Sequence, residues 1–462
     1  MRRWTFLLAA LILTLAAAPL SAAERPTRNV VLLIADDLGF QLGCYGDKKI
    51  RTPNIDGLAK NGVRFTHGFA AVSSCSPSRA TLYTGLHTHS NGQYGLAHDV
   101  HNFHTRDNVQ SLPRILKKHG YRTGIVGKVH VLPRTVYNFD VEMTKGIGGN
   151  RGVAQMSEQA NQFIRDSGDN PFLLVVGFAD PHRSAKNFGN EKPYPGVKEV
   201  RYEPGDVNVP YFLSDKPNVR RELAEYYQSI SRLDQGVGFM LDALKKTKHA
   251  EDTLVIFLSD NGPPFPGAKT TLYDSGVHLP LIISSPVQKR HGLTNSAMVS
   301  WIDMAPTILD WAGVKAPPAM TGRSVLPILE EEKPKGWDVV YGSHQCHEVT
   351  MYYPVRTIRT RTHKYIRNLA HKLDYPFASD LYNSATWQGI LQRGDKMMGD
   401  RSVESYLHRP LEELYDLEHD PHELKNLAAD PKYAETLKDL RERLKAWQVK
   451  TRDPWLVKYR YE

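Results

Sequence analysis

Four pairs of polar residues have the types needed for metal binding or acid–base chemistry, and each pair follows a short apolar run. The pairs are Asp36-Asp37 after residues 30–34, Lys128 with His130 after 123–126, Asp180 with His182 after 172–176, and Asp260-Asn261 after 254–258. The first and last pairs offer only oxygen ligands, which favours Ca²⁺ or Mg²⁺ over zinc. Each pair alone is also typical of a helix cap or a turn, so the metal hypothesis requires the pairs to meet in space.

A fifth polar group surrounds Cys75, one of only three cysteines in the 462-residue chain. The stretch reads SSCSPSRA over residues 73–80, and Pro77 suits the first turn of a helix whose backbone N–H groups would point at an anion. A reactive thiol usually has a neighbouring base that favours the thiolate, and no base is adjacent to Cys75. The residues alone leave two alternatives, a buried structural thiol and a cysteine with a specialised chemical role.

The apolar runs predict a sheet that would bring these groups together. Buried β-branched runs that alternate with helical patterns are typical of an α/β fold whose sheet has helices on both faces. In such sheets, ligands bind beyond the carboxyl ends of the strands. We therefore expect the four polar pairs to converge on one site although they are far apart in the chain.

The C-terminal part of the chain has a different pattern. Polar alternation over residues 355–359, 364–367 and 413–417 predicts antiparallel strands. A final helix is predicted from apolar residues at helical spacing, namely Tyr433, Leu437, Leu440, Leu444 and Trp447. We expect a large domain over residues 24–340 and a smaller α+β domain over residues 341–462.

The first 23 residues have the pattern of a secretory signal peptide. Arg2 and Arg3 precede an apolar run, and the small residues Ser21-Ala22-Ala23 follow it as a cleavage site. The run is shorter than the ~20 residues that a membrane-spanning helix needs. We therefore expect a secreted or periplasmic protein without stable membrane insertion.

The charge of the chain indicates an anionic partner. Lys and Arg number 59 against 50 Asp and Glu, which gives a formal net charge of +9. Because the positive residues are dispersed, a small or polymeric anion is favoured over nucleic acid. The sequence leaves the oligomeric state open, with a homodimer among the alternatives, and it leaves open whether Cys44 and Cys346 form a disulfide.

The segment around Cys75 resembles the signature of the type I sulfatases. The Cys-x-Pro-x-Arg pattern stands here as Cys75-Ser76-Pro77-Ser78-Arg79 and continues through residues 80–85 as ATLYTG. In that family, a separate maturation enzyme oxidises the cysteine to formylglycine, whose gem-diol accepts sulfate in a covalent sulfo-enzyme intermediate. The resemblance implies an alkaline phosphatase-like fold, with a large mixed sheet between helices and a smaller C-terminal antiparallel sheet.

The resemblance also assigns roles to residues outside the signature. The implied Ca²⁺ ligands are Asp36, Asp37, Asp260 and Asn261, together with the modified residue Cys75. The other matched residues would hold the formylglycine (Arg79), contact sulfate (Lys128 and Lys269), face the formylglycine hydroxyls (His130) and protonate the leaving group (His182).

Longer segments narrow the resemblance to the sulfamidase subgroup, which removes N-sulfate from N-sulfoglucosamine residues of heparan sulfate. These segments are residues 75–96, 99–101, 260–266, 347–354 and 447–455. In this interpretation His347, Glu348 and Tyr352 would contact the sugar, and interdomain packing is the alternative role for them. Two features differ from animal sulfamidases: Lys269 stands in place of an arginine, and the region 183–204 is shorter and lacks their cysteines.

Three other functions remain open from the sequence. The same catalytic residues would serve an O-sulfatase acting on carbohydrate or aryl esters, because only the pocket loops distinguish the leaving atom. A phosphomonoester or phosphonate hydrolase of the same superfamily would use the same metal and lysines. The non-enzymatic alternative is a carbohydrate-binding protein in which residue 75 is never modified.

Overall fold

The computed structural model of the protein describes residues 28–184 and 187–461. The predicted signal peptide, residues 1–23, lies outside these described residues. The strands in chain order are β1 (Asn29–Ala35), β2 (Val63–Phe69), β3 (Arg122–Gly127), β4 (Val141–Met143), β5 (Phe172–Gly177), β6 (Thr253–Ser259), β7 (His278–Ser284), β8 (Leu293–Ser300), β9 (Val339–His344), β10 (Val355–Thr360), β11 (His363–Asn368), β12 (Met397–Met398), β13 (Arg401–Ser402) and β14 (Glu412–Asp416).

The helices lie between these strands and after the last of them. In chain order they are α1 (Pro53–Asn61), α2 (Cys75–Thr84), α3 (Thr88–Asn91), α4 (Leu112–Lys118), α5 (Val153–Ser167), α6 (Pro217–Lys245), α7 (Asp274–Val277), α8 (Met304–Trp311), α9 (Ser379–Tyr382), α10 (Ala385–Arg393), α11 (Val403–Leu407), α12 (Ala434–Lys450) and α13 (Lys458–Tyr461). None of the helices in the described part of the chain is both long enough and apolar enough to cross a membrane.

The large sheet contains the four predicted strands as neighbours. Its order is β4-β3-β5-β1-β6-β7-β2-β8, and β3, β5, β1 and β6 run parallel to one another. The sheet is mixed because β7 pairs antiparallel with both β6 and β2. The polar residues that follow the four parallel strands therefore lie at one edge of the sheet, and the predicted α/β fold is confirmed.

Helices cover both faces of this sheet because its strands are apolar on both faces. In β1, Val30, Leu32 and Ile34 pack into one core, and Val31, Leu33 and Ala35 pack into a second core on the opposite face. The first core also contains side chains of α2, α4 and α8, and the second contains side chains of α1, α5 and α6. Burying each of the larger side chains stabilises the fold by ~1.5–3 kcal/mol.

Two glycines let the ends of β3 and β5 approach closely. A Cβ on Gly127, whose φ is +89°, would lie 2.1 Å from the carbonyl oxygen of Gly177, and a Cβ on Gly177 would lie 2.2 Å from the carbonyl oxygen of Lys128. The Lys128 N–H donates to that Gly177 carbonyl at 2.7 Å. This close contact places Lys128 directly beyond the strand ends.

A second, antiparallel sheet forms the C-terminal part of the fold, in the order β14-β11-β10-β9. Helix α12 packs on it through the four predicted apolar residues from Leu437 to Trp447 that lie within the helix, and Tyr433 lies in the turn before α12, partly buried against the same core. The predicted C-terminal strands and helix are thus confirmed. Because β9 begins at Val339, the sheet starts just before the predicted domain boundary, and the division into residues 24–340 and 341–462 remains a prediction.

A buried cluster of charges joins the two sheets. The Lys364 ammonium on β11 lies 2.8 Å from Asp274 Oδ1 on α7 and 2.8 Å from Glu423 Oε1. The Arg359 guanidinium on β10 lies 3.0 Å from Asp274 Oδ2. All three cysteines are unpaired, so Cys44 and Cys346 do not form the disulfide that the sequence left open.

Candidate active site

Helix α2 begins at Cys75 and is buried along its whole length. Two residues in its first turns attach it to the strand ends. Ser78 Oγ donates to the Asp260 carbonyl at 2.5 Å, and Arg79 Nε donates to Asp260 Oδ2 at 2.9 Å. Arg79 Nη1 also donates to the Lys128 carbonyl at 3.1 Å. These contacts hold the helix start, and Cys75 with it, against the residues that follow β3 and β6.

The carboxylates after β1 lie next to Cys75. Cys75 Sγ is 3.8 Å from Asp37 Oδ1, and Asn261 Nδ2 donates to the same oxygen at 2.6 Å. Asp260 Oδ1 accepts from the Asp37 N–H at 3.1 Å. Ligand-type atoms of four residues lie within 4.8 Å of one another, namely Asp36, Asp37, Cys75 and His182. The structure thus brings together the ends of β1, β5 and β6 with the start of α2, as the sequence predicts.

Two lysines neutralise the paired carboxylates. Lys128 donates to Asp36, and Lys269 Nζ donates to Asp37 Oδ2 at 2.9 Å. Lys128 follows β3, whereas Lys269 lies in the loop after β6. Each carboxylate therefore has its own ammonium partner, and the two cations come from different parts of the sheet edge.

The electrostatics of the cluster favour a cation. Burial would raise the pKa of Asp36, but the charges of Lys128 and its neighbours outweigh burial and hold that pKa well below its usual range. Burial raises the pKa of Asp37 to about 6, and burial with the charge of Asp36 raises the pKa of Asp260 to about 7. Burial also raises the pKa of the Cys75 thiol well above its ordinary value. An unmodified Cys75 is therefore a thiol and not a thiolate nucleophile.

Two oxygens of the predicted ligand set lack hydrogen bonds within the described part of the chain. Asp36 Oδ1 and Asn261 Oδ1 are fully buried without a partner. Buried polar atoms are normally paired because an unpaired one costs about 1–3 kcal/mol. These two unpaired oxygens lie beside the carboxylates of Asp37 and Asp260. Carboxylate and amide oxygens are ligands that Ca²⁺ prefers, so the residues present fit that ion.

His182 is held in a defined orientation between a carbonyl and an ammonium. Its Nδ1 is 2.5 Å from the Arg183 carbonyl oxygen, and its Nε2 is 3.2 Å from Lys269 Nζ. A carbonyl accepts and an ammonium donates, so these partners assign the proton to Nδ1 and the lone pair to Nε2. Burial, followed by the Lys269 charge, lowers the pKa of His182 to about 3, so the ring is neutral without substrate.

His130 lies two residues after Lys128, beside a second histidine. Its Nε2 is 2.5 Å from Nδ1 of His98, and its own Nδ1 has no partner among the described residues. Burial and the nearby Lys128 charge hold the pKa of His130 well below the ordinary range. The ring is therefore neutral and can accept a proton.

Three residues of the site have left-handed backbones that non-glycine residues rarely adopt. Their φ values are +67° for Asp37, +54° for His130 and +71° for Thr270, which follows Lys269. Each such residue costs roughly 1–3 kcal/mol. The surrounding contacts hold them in place, as is typical of functional sites.

The three predicted sugar-contacting residues have different environments. His347 is buried with Nδ1 2.8 Å from Oγ of Ser74, the residue before Cys75. Glu348 Oε1 accepts from the N–H of Ser379 at 2.8 Å, at the start of α9. Tyr352 is 42% exposed. His347 thus connects the C-terminal part to the site, Glu348 braces the start of α9 within that part, and the contact of all three residues with substrate remains a prediction.

The sequence pattern missed Asp380 and is ambiguous for Asp180. Asp380 Oδ2, on α9, accepts from Lys269 Nζ at 2.7 Å and lies 4.0 Å from His182 Nε2. No periodicity in that segment marks Asp380, because its role depends on the folding of a distant segment against the sheet edge.

Asp180 follows a strand as the other acids do, but it is buried in ion pairs with Arg151 and Arg232 and lies outside the cluster.

The family of the chain follows from comparisons with known proteins. The family model described as Sulfatase matches residues 28–314. A second model, described as N-sulphoglucosamine sulphohydrolase, C-terminal, matches residues 268–383. The chain belongs to the sulfatase family.

A relative with high identity narrows the position of the chain within that family. The chain is 43% identical to the N-sulphoglucosamine sulphohydrolase of Homo sapiens, over 93% of this chain and 91% of the relative. It is 30% identical to an ulvan-active sulfatase of Formosa agariphila, over 91% of this chain and 79% of that protein.

Solved structures share the fold at lower identity. One, described as a complex with its substrate D-glucosamine-2-N,6-O-disulfate, has a TM-score of 0.68 and 21% identity, and the match covers 93% of this chain and 99% of that one. The phosphonate monoester hydrolase of Agrobacterium radiobacter has a TM-score of 0.64 and 21% identity, with 92% and 96% covered. At these identities the structures establish the fold alone.

Proposed function

We propose that this protein hydrolyses the sulfamate of N-sulfoglucosamine residues in heparan sulfate or heparin fragments. The observation that carries the proposal is the cluster in which Asp36, Asp37, Cys75 and His182 place their ligand atoms within 4.8 Å of one another, beside two lysines. The identity to the human enzyme, which covers nearly the whole chain, supports nitrogen as the leaving atom.

The binding groups in the proposal follow from the contacts described above. Asp36, Asp37, Asp260, Asn261 and residue 75 would hold Ca²⁺, which when bound polarises oxygen atoms and stabilises negative charge on them. Lys128 and Lys269 would contact the sulfonate oxygens, since their ammonium groups pair with Asp36 and Asp37 in the cluster that contains Cys75. Arg79 would hold the side chain of residue 75 in place.

The proposed reaction requires two hydroxyls on residue 75, which a hydrated formylglycine provides and a serine does not. One hydroxyl would give up its proton to water, and its oxygen would form a bond to sulfur as the sulfur–nitrogen bond breaks and the electron pair leaves with nitrogen. Nitrogen takes a proton from His182 Nε2. His130 then takes the proton of the second hydroxyl, so the aldehyde re-forms and sulfate leaves.

His182 must gain a proton on Nε2 for this step, although it is neutral in the free protein. The negative charge of a bound sulfonate opposes the effect of Lys269 and raises the pKa of His182, because a nearby anion favours the charged imidazolium. Substrate binding therefore favours the protonated form of His182, which is the form that can act as the acid. A sulfated glycan also suits the net charge of +9.

Three finer expectations accompany the proposal. A maturation enzyme would convert Cys75, the protein would be secreted or periplasmic after cleavage near Ala23, and a homodimer is one of its candidate assemblies. The predicted domains, residues 24–340 and 341–462, would each contribute to the site, since Asp380 and Lys269 belong to different ones.

Comparison of two matched substrates tests the proposal. The matured protein is incubated with N-sulfoglucosamine and, separately, with glucosamine 6-sulfate, and sulfate release is measured while NMR identifies the desulfated position. We expect product at nitrogen, with Cys75→Ala as the inactive control. Release from oxygen alone would make the protein an O-sulfatase, and faster turnover of phosphate or phosphonate esters would place it with the phosphonate hydrolases.

A further inference from the structure

Asp380 lies between the sulfate-binding groups and a large surface cleft. On one side, its Oδ2 accepts from Lys269 at 2.7 Å. On the other side, Asp380 lines a cleft of about 870 Å³ together with Arg183, Asn218, Arg221 and Gln388. The cleft has room for a sugar, and Lys269 and His182 lie beyond Asp380. A sugar in this cleft would place the atom that links it to sulfur near this carboxylate.

The second carboxylate oxygen of Asp380 is free to accept. Oδ1 is buried and has no hydrogen bond among the described residues, while the side chain as a whole is 22% exposed. A buried acceptor of this kind is costly unless a ligand donates to it. The residue is therefore suited to a donor that arrives with substrate.

The start of α9 holds Asp380 in position. Glu348 Oε1 accepts from both the N–H and the Oγ of Ser379, at 2.8 and 2.6 Å. Ser379 immediately precedes Asp380 on α9. The carboxylate thus reaches the site from a backbone that these hydrogen bonds hold in place.

Sulfamates and sulfate esters differ at the atom that would meet this oxygen. The bridging nitrogen of a sulfamate carries a hydrogen and donates, whereas the bridging oxygen of an ester only accepts. We propose that Asp380 Oδ1 accepts the N–H of the sulfamate and then an N–H of the released amine, and that Asp380 thereby selects N-sulfate over O-sulfate. This inference rests on the proposed function and adds the residue that determines the leaving atom.

The test compares two substrates in one variant. Asp380→Asn keeps the shape of the side chain and replaces one acceptor with a donor, and Asp374→Asn, at an exposed acid paired with His408, is the matched control. Both substrates should slow, because Lys269 loses a charged partner. We expect kcat/KM for N-sulfoglucosamine to fall about 10- to 100-fold further than kcat/KM for an aryl O-sulfate, since a hydrogen bond to a charged group is lost. If kcat/KM fell equally for both substrates, Asp380 would only position Lys269, and the inference would be overturned.

Inhibition of the unaltered enzyme gives a second test that does not depend on folding of the variant. Glucosamine donates from its amine, and glucose has a hydroxyl at the same carbon. We expect glucosamine to bind at least about tenfold more tightly, because its ammonium pairs with a carboxylate. Equal inhibition constants would contradict the inference. If the unaltered enzyme releases no sulfate from N-sulfoglucosamine, the proposed function itself is wrong, whatever the inhibition shows.

Discussion

At the scale of residues, the site consists of carboxylates that are partly neutralised by lysines and partly unsatisfied. Lys128 and Lys269 each occupy one oxygen of the Asp36-Asp37 pair, which leaves Asp36 Oδ1 without a partner among the described residues. Asn261 Oδ1 is likewise buried without a hydrogen-bond partner among the described residues. A cation at these oxygens would satisfy both and offset the cost of burying adjacent carboxylates.

Replacing Asp36 tests this residue-scale view. Asp36→Asn removes one charge from the ligand set, so we expect its affinity for Ca²⁺ to fall at least about tenfold. Calorimetric titration with CaCl₂ measures the affinity directly. Ca²⁺ at 100 times its Kd should stabilise the unaltered protein by about 2.7 kcal/mol and the variant by much less.

Asp439→Asn is the matched control, because Asp439 is an exposed acid that pairs with Arg443 one helical turn away. It should bind Ca²⁺ as the unaltered protein does. If Asp36→Asn and Asp439→Asn gave the same titration curve, Asp36 would not be a ligand.

At the scale of elements, α12 packs against two buried histidines at the start of α3 through an aromatic contact. The Trp447 ring meets the rings of His87 and His89 edge-on, with centroids 4.9 and 5.2 Å away. Burial and the Arg356 charge lower the pKa of His87 to about 3 and that of His89 to about 2, with Asp453 acting weakly in the opposite direction. Both rings are neutral in the folded protein.

Because His87 and His89 are buried in the neutral form, we expect the packing of α12 against them to weaken in acid. Their folded pKa values lie below the unfolded value near 6.5, so the unfolded state binds more protons as the pH falls. The stability that they contribute is present above pH ~6.5 and is lost progressively below it, by about 2 kcal/mol per histidine at pH 5. Urea unfolding at several pH values measures the slope.

His89→Gln should reduce that slope by about one proton near pH 5, because glutamine does not titrate. His119→Gln is the control, since His119 is exposed and its ring contacts the carbonyl of Ile115 in its own helix. An unchanged slope in His89→Gln would contradict the assignment of the acid sensitivity to this contact.

The elements around the site were largely predictable from the sequence, because apolar runs and polar strand ends are local signals. The shared sheet of β1, β3, β5 and β6 and the start of α2 at Cys75 agree with the prediction, whereas the order of the strands was not predicted. Asp380 was not predictable, since its contact with Lys269 joins segments more than a hundred residues apart. The structural role of Asp180 depends in the same way on distant arginines.

At the scale of the whole molecule, buried charges join the two sheets. Lys364 contacts both Asp274 and Glu423 and is 1% exposed, and Asp274 is only five residues past Lys269 in the chain. Removing one member of a buried ion pair leaves uncompensated charge. The junction of the two sheets is therefore tied to the loop that carries Lys269, the residue proposed to contact sulfate.

Lys364→Met should destabilise the protein by about 3–5 kcal/mol, because buried Glu423 loses its ammonium partner and Asp274 loses Lys364 while it keeps Arg359. Urea unfolding followed by tryptophan fluorescence measures this change, and loss of activity should coincide with it. Lys438→Met, at an exposed position of α12, is the control and should shift the free energy of unfolding by less than about 0.5 kcal/mol. Similar shifts for both variants would show that the ion cluster does not hold the sheets together.

The mass of residue 75 tests the central claim most directly, since the proposed chemistry needs an aldehyde at the start of α2. Trypsin should release residues 65–79 as one peptide, because the flanking cleavage sites follow Arg64 and Arg79. In an active preparation we predict a mass about 18 Da below that of the cysteine form, as expected when the thiol is replaced by an aldehyde oxygen. A fully active preparation in which this peptide carries only the intact thiol would contradict the claim.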